Sequence, residues 1–278
     1  MTGPRLFRRS TRAAALVAAL AALAACTATP SAPSAPSAED PSSPALPRGD
    51  DPVDLDPADF TAGSEHPYFP LQTGRQWTYR ESAPGEPALR VVVTVTSETR
   101  RIANGIEARV VRDTVTERGE VVEDTFDWYA QDADGNVWYL GEDTAEFEDG
   151  RITTRQGSFE AGVDGALPGI IMPAEPAVAT RYRQEYAEGT AEDNGEILAL
   201  DQQAQVPAGH FTDVLLTADT IALEPRVLEH KLYAPGEGLV LTLDVSGGAG
   251  REELVGTRTV DGATARAAGT VALGQPYA

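Results

Sequence analysis

Ala88 to Val115 decides the fold: Ala-Leu-Arg-Val-Val-Val-Thr-Val-Thr-Ser-Glu at 88–98, the pair Asn104-Gly105, and a return run holding Val110, Val111 and Val115. Val91, Val93 and Val95 recur at every second position, the period that places side chains on one face of a strand. An Asn-Gly pair between two β-branched runs is a strong hairpin signal, because both residues tolerate the positive φ of a tight primed turn. The pattern repeats downstream, where Val122, Phe126 and Trp128 share parity, Asp132-Ala133-Asp134-Gly135 turns the chain, and Val137 to Leu140 returns. Upstream, His66-Pro67-Tyr68-Phe69-Pro70-Leu71 marks the onset of order and Trp77-Thr78-Tyr79 a first strand. Further strands are expected at 181–186, 197–200, 210–223, 226–233, 239–245 and 252–258. No stretch after residue 60 holds a helical period over three turns, so the expected fold is all-β: a single curved antiparallel sheet or a partly open barrel or sandwich. One irregular segment, Gly157 to Pro173, is too apolar for an exposed loop and too rich in Gly and Pro for a strand. It is expected to plug an open end of the sheet and so cover Leu167, Ile170, Ile171 and Met172.

The amino terminus reads as export and attachment. Arg5, Arg8, Arg9 and Arg12 precede an uncharged run from Ala13 to Ala25 that ends at Cys26, the one cysteine of the chain. That is the three-part layout of a secretory signal, and the run falls short of the ~20 residues a spanning helix needs. Leu23-Ala24-Ala25-Cys26 resembles the lipobox of bacterial lipoproteins. The resemblance implies cleavage between Ala25 and Cys26, fatty acylation of Cys26 (palmitate among the acyl chains), and retention at the outer face of the cytoplasmic membrane or elsewhere in the cell envelope. Residues 1–25 are then the signal, 26–65 the lipidated cysteine and a Pro/Ser/Ala/Asp-rich tether with a reach of roughly 35 Å, 66–262 the β domain, and 263–278 a tail. With Cys26 committed to lipid no disulfide can form, so the core must hold the domain.

Charge narrows the partners. The chain carries a formal −21, and loss of the four signal arginines takes the exported part to −25. Lys231 is its one lysine. Nucleic acid is excluded as a partner, because phosphate backbones are held by clustered Lys and Arg. The expected partners are the membrane, through the lipid anchor, and an unidentified small molecule or envelope component.

Enzyme signatures fail by mechanism. His66, His210 and His230 lack zinc-ligand spacing, and there is no nucleophile elbow, Walker loop or dinucleotide fingerprint. No catalytic residue, metal ligand or cofactor is assigned. Asp132-Ala133-Asp134-Gly135-Asn136 has glycine at the fourth position of a would-be calcium loop where the sixth is required, which favours a hairpin turn. Glu160, Asp164, Arg183 and Glu185 are a candidate ligand or cation site around the apolar segment, and the first three acids in that neighbourhood could serve a carboxylate-dependent hydrolase. Trp128, Trp138 and Met172 are candidates to line an apolar cavity. The expectation is a non-enzymatic binding or envelope-interaction module, with an apolar-ligand carrier and a hydrolase as alternatives. Tyr68-Phe69-Pro70-Leu71, Val206-Pro207-Ala208-Gly209-His210-Phe211 and Gly236-Glu237-Gly238-Leu239-Val240 resemble segments of a broad, poorly characterised group of secreted bacterial lipoproteins. That resemblance implies a curved antiparallel sheet distantly similar to half-barrel lipid carriers, without their long covering helices.

Overall fold

A computed structural model describes residues 46–277. The signal, Ala25, Cys26 and the first part of the tether lie outside the described residues. Sixteen antiparallel strands form one sheet. They are β1 (Phe60–Thr61), β2 (Arg75–Ser82), β3 (Leu89–Arg101), β4 (Glu107–Glu117), β5 (Glu120–Asp132), β6 (Val137–Glu148), β7 (Arg151–Thr154) and β8 (Phe159–Glu160). After these come β9 (Leu167–Met172), β10 (Arg181–Arg183), β11 (Glu185–Tyr186), β12 (Asp193–Val206), β13 (Gly209–Ile221), β14 (Leu228–Ala234), β15 (Gly238–Ser246) and β16 (Arg251–Thr259). The fold is all-β, as the alternation predicts.

The sheet runs β10-β12-β13-β14-β15-β16-β2-β3-β4-β5-β6-β9-β11, so its two ends are β10 and β11. Those strands are separated in sequence only by Gln184. One short segment therefore pairs with β12 through Arg181, Tyr182 and Arg183 and with β9 through Glu185 and Tyr186, bringing the sheet to a nearly closed barrel. Two glycines make the seam possible. A β-carbon at Gly169 would stand 2.2 Å from the backbone of Gln184, and one at Gly195 would stand 2.6 Å from the ring of Tyr182.

Asn104-Gly105 does join β3 to β4, with Gly105 at φ 95° and the amide of Ile102 donating to the carbonyl of Ile106 at 2.8 Å. Asp132 holds the next turn: its carboxylate accepts from the Asn136 amide (2.8 Å), the Asn136 side chain (2.9 Å) and the Trp138 indole (2.7 Å). Those oxygens are consumed by the turn, in keeping with a hairpin.

Three expectations need correction. Residues 157–173 are not a plug, because Phe159–Glu160 and Leu167–Met172 pair with β6 as part of the wall. Prolines and glycines that break the alternation in sequence are accommodated here at a narrow strand flanked by a bulge between Val137 and Trp138. One barrel end is instead spanned by 66–71: Phe69 packs on Tyr129 of β5 (5.2 Å between ring centres), the Tyr68 hydroxyl donates to Asp213 of β13, and the Pro67 carbonyl accepts from Gly236 between β14 and β15. Second, order starts before residue 66. Phe60–Thr61 pairs with β5, and the Pro47, Gly49 and Asp51 carbonyls all accept hydrogen bonds from Arg183.

Third, the tail carries a helix, α1 (Gly262–Thr270), capped by Asp261, whose side chain accepts from the Thr264 amide at 2.8 Å. It packs on the outside of β3 and β4 with Ala265 and Ala268 buried. A helix whose contact face is alanine and glycine leaves no hydrophobic period to read. It shields Arg112, a fully buried guanidinium that pairs with Asp124 and donates to the carbonyls of Ala268, Val271, Ala272 and Gln275. Tyr277 stacks over the same guanidinium at 4.3 Å.

Candidate functional site: a carboxylate and tyrosine interior

Cross-strand partners share a face, so the register identifies which side chains look into the barrel. Arg112, paired with Phe126 and Thr94, faces the helix outside; Asp113, paired with Thr125 and Val93, faces in. Following the pairs around the wall places Asp127 beside Glu142, Asp219 beside Glu229, Thr217 beside Lys231, Lys231 beside Thr242, Thr242 beside Glu252, and Glu252 beside Glu81 on that same interior face. Glu185 and Asp193 complete the circuit at the seam, where each acts electrostatically on the other. Tyrosines interleave. Tyr79, Tyr129, Tyr139, Tyr182 and Tyr233 are all buried.

Protonation follows from geometry. The Tyr139 hydroxyl lies 2.8 Å from Asp127 Oδ1 and 2.7 Å from Glu142 Oε2. It has one proton to give, so when both contacts hold, one of the two carboxyls must donate. Burial, which disfavours the charged form, raises Asp127 to about 7 and Asp193 to about 8, and pushes Asp113, Glu142, Glu185 and Glu252 well above the usual carboxylate range. Lys231 stays charged despite burial, held by Asp219 at 2.8 Å and Glu229 at 3.7 Å. Gln184 and Thr217 also donate to Asp219, at 2.9 and 2.7 Å.

Several interior atoms have no partner. Glu142 Oε1, Asp193 Oδ1, Asp113 Oδ1, the Tyr182 hydroxyl and Thr242 Oγ1 are buried without a hydrogen bond. Tyr182 and Thr242 are each 1% exposed. Glu81, Asp113 and Asp127 also point inward and are half-buried.

The residues singled out from sequence are dispersed. Glu160 accepts from Arg100 (2.5 Å) and from the Ala103 amide (2.8 Å), while Asp164 is an exposed turn residue at φ 50°. Arg183 spends its guanidinium on the Pro168, Gly49 and Asp51 carbonyls. Of the four, Glu185 alone belongs to the interior circuit. Trp128 and Trp138 face outward, the first under Arg100 (4.1 Å) and the second against Phe60 (6.2 Å). Met172 pairs with Val137, whose side chain points opposite to that of Trp138, so the three do not line one space. His66 is a turn residue: its ring accepts from the Tyr68 amide at 3.2 Å and meets the Ala174 carbonyl at 3.3 Å.

Two solved structures resemble this chain. One is a Bacteroides fragilis protein named as exported, with a YmcC-like fold: 14% identity, TM-score 0.42, covering 72% of this chain and 100% of that one. The other is a Parabacteroides distasonis protein named as a lipoprotein: 11% identity, TM-score 0.38, covering 71% and 100%. No protein-family model and no curated protein matches.

Proposed function

We propose that this chain is a lipid-anchored, non-enzymatic binding module of the cell envelope, with the barrel interior as its binding site. The observation that carries this reading is the ring of ionisable side chains on interior-facing positions, several with buried atoms left unpartnered. Small barrels fill their interiors with packed side chains, and burying a carboxyl without full pairing costs free energy. A protein under selection for stability alone gains by replacing such groups with Leu or Val. Their presence at so many interior positions points to use.

Neither alternative draws equal support. An apolar carrier needs an apolar cavity, and the interior face mixes apolar side chains such as Val91 and Val111 with carboxyl groups and Lys231. A hydrolase of the glycosidase type needs two carboxyls facing one cleft, but Glu160 is held by Arg100 and the Ala103 amide, Asp164 sits on an exposed turn and Glu185 lies at the seam.

Native mass spectrometry of the purified full chain tests the site: a retained small molecule, lost on mutation of interior residues, is the expected result. No retained species, and no thermal shift from any member of a chemically broad metabolite set, overturns the binding reading. Attachment is tested separately. Cys26→Ala moves the protein from the detergent phase to the aqueous phase, and unchanged partitioning refutes the anchor.

A further inference from the structure

Several polar atoms of the interior have no hydrogen-bond partner. Glu142 Oε1, Asp193 Oδ1 and Asp113 Oδ1 are carboxyl oxygens without a partner, and the Tyr182 and Thr242 hydroxyls, which can accept as well as donate, also have none. Glu81, Glu123, Asp127, Glu185, Asp219, Glu229 and Glu252 are further carboxyl groups on this face, with Lys231 amid them. Phe69, Tyr129, Tyr139 and Phe159 form a column of ring contacts at 5.2, 4.9 and 5.7 Å, offering the aromatic faces that attract cations.

The layout also sets the shape of the partner. Strands lie about 5 Å apart, so the unpartnered oxygens of Asp113 on β4 and Glu142 on β6, two strands away, stand about 10 Å apart along the wall. No three Asp, Glu, His or Cys side chains among the described residues converge as a metal site would require. Dispersed acceptors suit several N–H groups on one extended molecule better than a point ion.

We infer that the interior takes an organic cation with two or more ammonium or amine groups, of the polyamine class, whose N–H bonds satisfy Glu142, Asp193, Tyr182 and Thr242. This rests on the reading of the interior as a binding site and names its ligand class.

Calorimetric titration of the purified full chain with spermidine at about 0.15 M salt, where long-range surface attraction is screened, tests it. One saturable site is expected, with Mg2+ at equal ionic strength failing to compete. Tyr182→Phe and Glu142→Gln should each weaken binding by about fivefold or more, the loss of one hydrogen bond to a charged group. Asp134→Asn, an exposed acid on a hairpin tip, should leave it unchanged. If Glu142→Gln does not fold, Thr242→Val replaces it. Equal weakening by Asp134→Asn, full displacement by Mg2+, or wild-type affinity in Tyr182→Phe and Glu142→Gln overturns the inference. Retention of an apolar or anionic molecule with no response to spermidine overturns the ligand class but leaves the binding site standing; absence of any ligand removes both.

Discussion

Arg112 shows how one side chain can join distant parts of the chain. Its guanidinium is fully buried, pairs in a fork with Asp124, and donates to the carbonyl of Ala268 within α1 and to those of Val271, Ala272 and Gln275 after it. Thr114 and the Gly274 amide share the Asp124 carboxylate at 2.8 and 2.7 Å. Removing one member of such a pair strands the other without solvent, at about 3–5 kcal/mol. Arg112→Met should therefore destabilise the domain by about that amount in urea denaturation, and the double variant Arg112→Met with Asp124→Leu should recover part of the loss. A cost below about 1 kcal/mol would show that the tail releases the site without penalty. Nothing in the local sequence marks Arg112 as special, since its partners lie 12 and more than 150 positions away.

At the level of elements, the seam is the decisive feature. Residues 181–186 read as one strand from their alternation, with Tyr182 and Tyr186 on one side. The structure splits them at Gln184 into β10 and β11 and sends each half to a different end of the sheet. That division depends on the close approach of Tyr182 to Gly195. Gly195→Ala should accordingly cost about 1–3 kcal/mol through overpacking and raise amide exchange across β10 and β12. Gly256→Ala in β16, where an added β-carbon meets nothing within 4 Å, should be close to neutral by the same measurements. Equal effects at both glycines would mean that the seam is not tightly packed. The hairpins from β2 through β6 were legible because each is joined by a short turn and alternates over many residues. The seam was not, because its partners are remote and its strands hold only three and two residues.

The whole molecule carries an unusual pH signature. Buried interior carboxyls, Asp127 at about 7 and Asp193 at about 8 among them, keep protons that the unfolded chain releases near pH 4. Below about pH 4 both states are protonated and the stabilising contribution is complete; as pH rises through the folded values it is lost. Asp113, Glu142, Glu185 and Glu252 shift in the same direction. The melting temperature should therefore be higher at pH 5 than at pH 8.5, by several degrees. Surface repulsion in a chain of formal charge −21 acts in the same sense but is screened by salt, so the interior share is what survives at about 0.5 M NaCl. Asp193→Asn should flatten the profile, and an unchanged slope would place the effect elsewhere.

By itself the sequence determined the strand-rich class, the hairpins, the acidic character and the export signature, because these depend on local periodicity, turn chemistry and charge. It could not tell which face of each strand turns inward: the shared parity of Val122, Phe126 and Trp128 says nothing of whether that face or the one carrying Glu123 and Asp127 lines the barrel. Only closure of the sheet decided that these acids face the interior. Closure is set by contacts among residues far apart in the chain, and with it an ordinary alternation of acid and hydrophobe becomes a buried polar site.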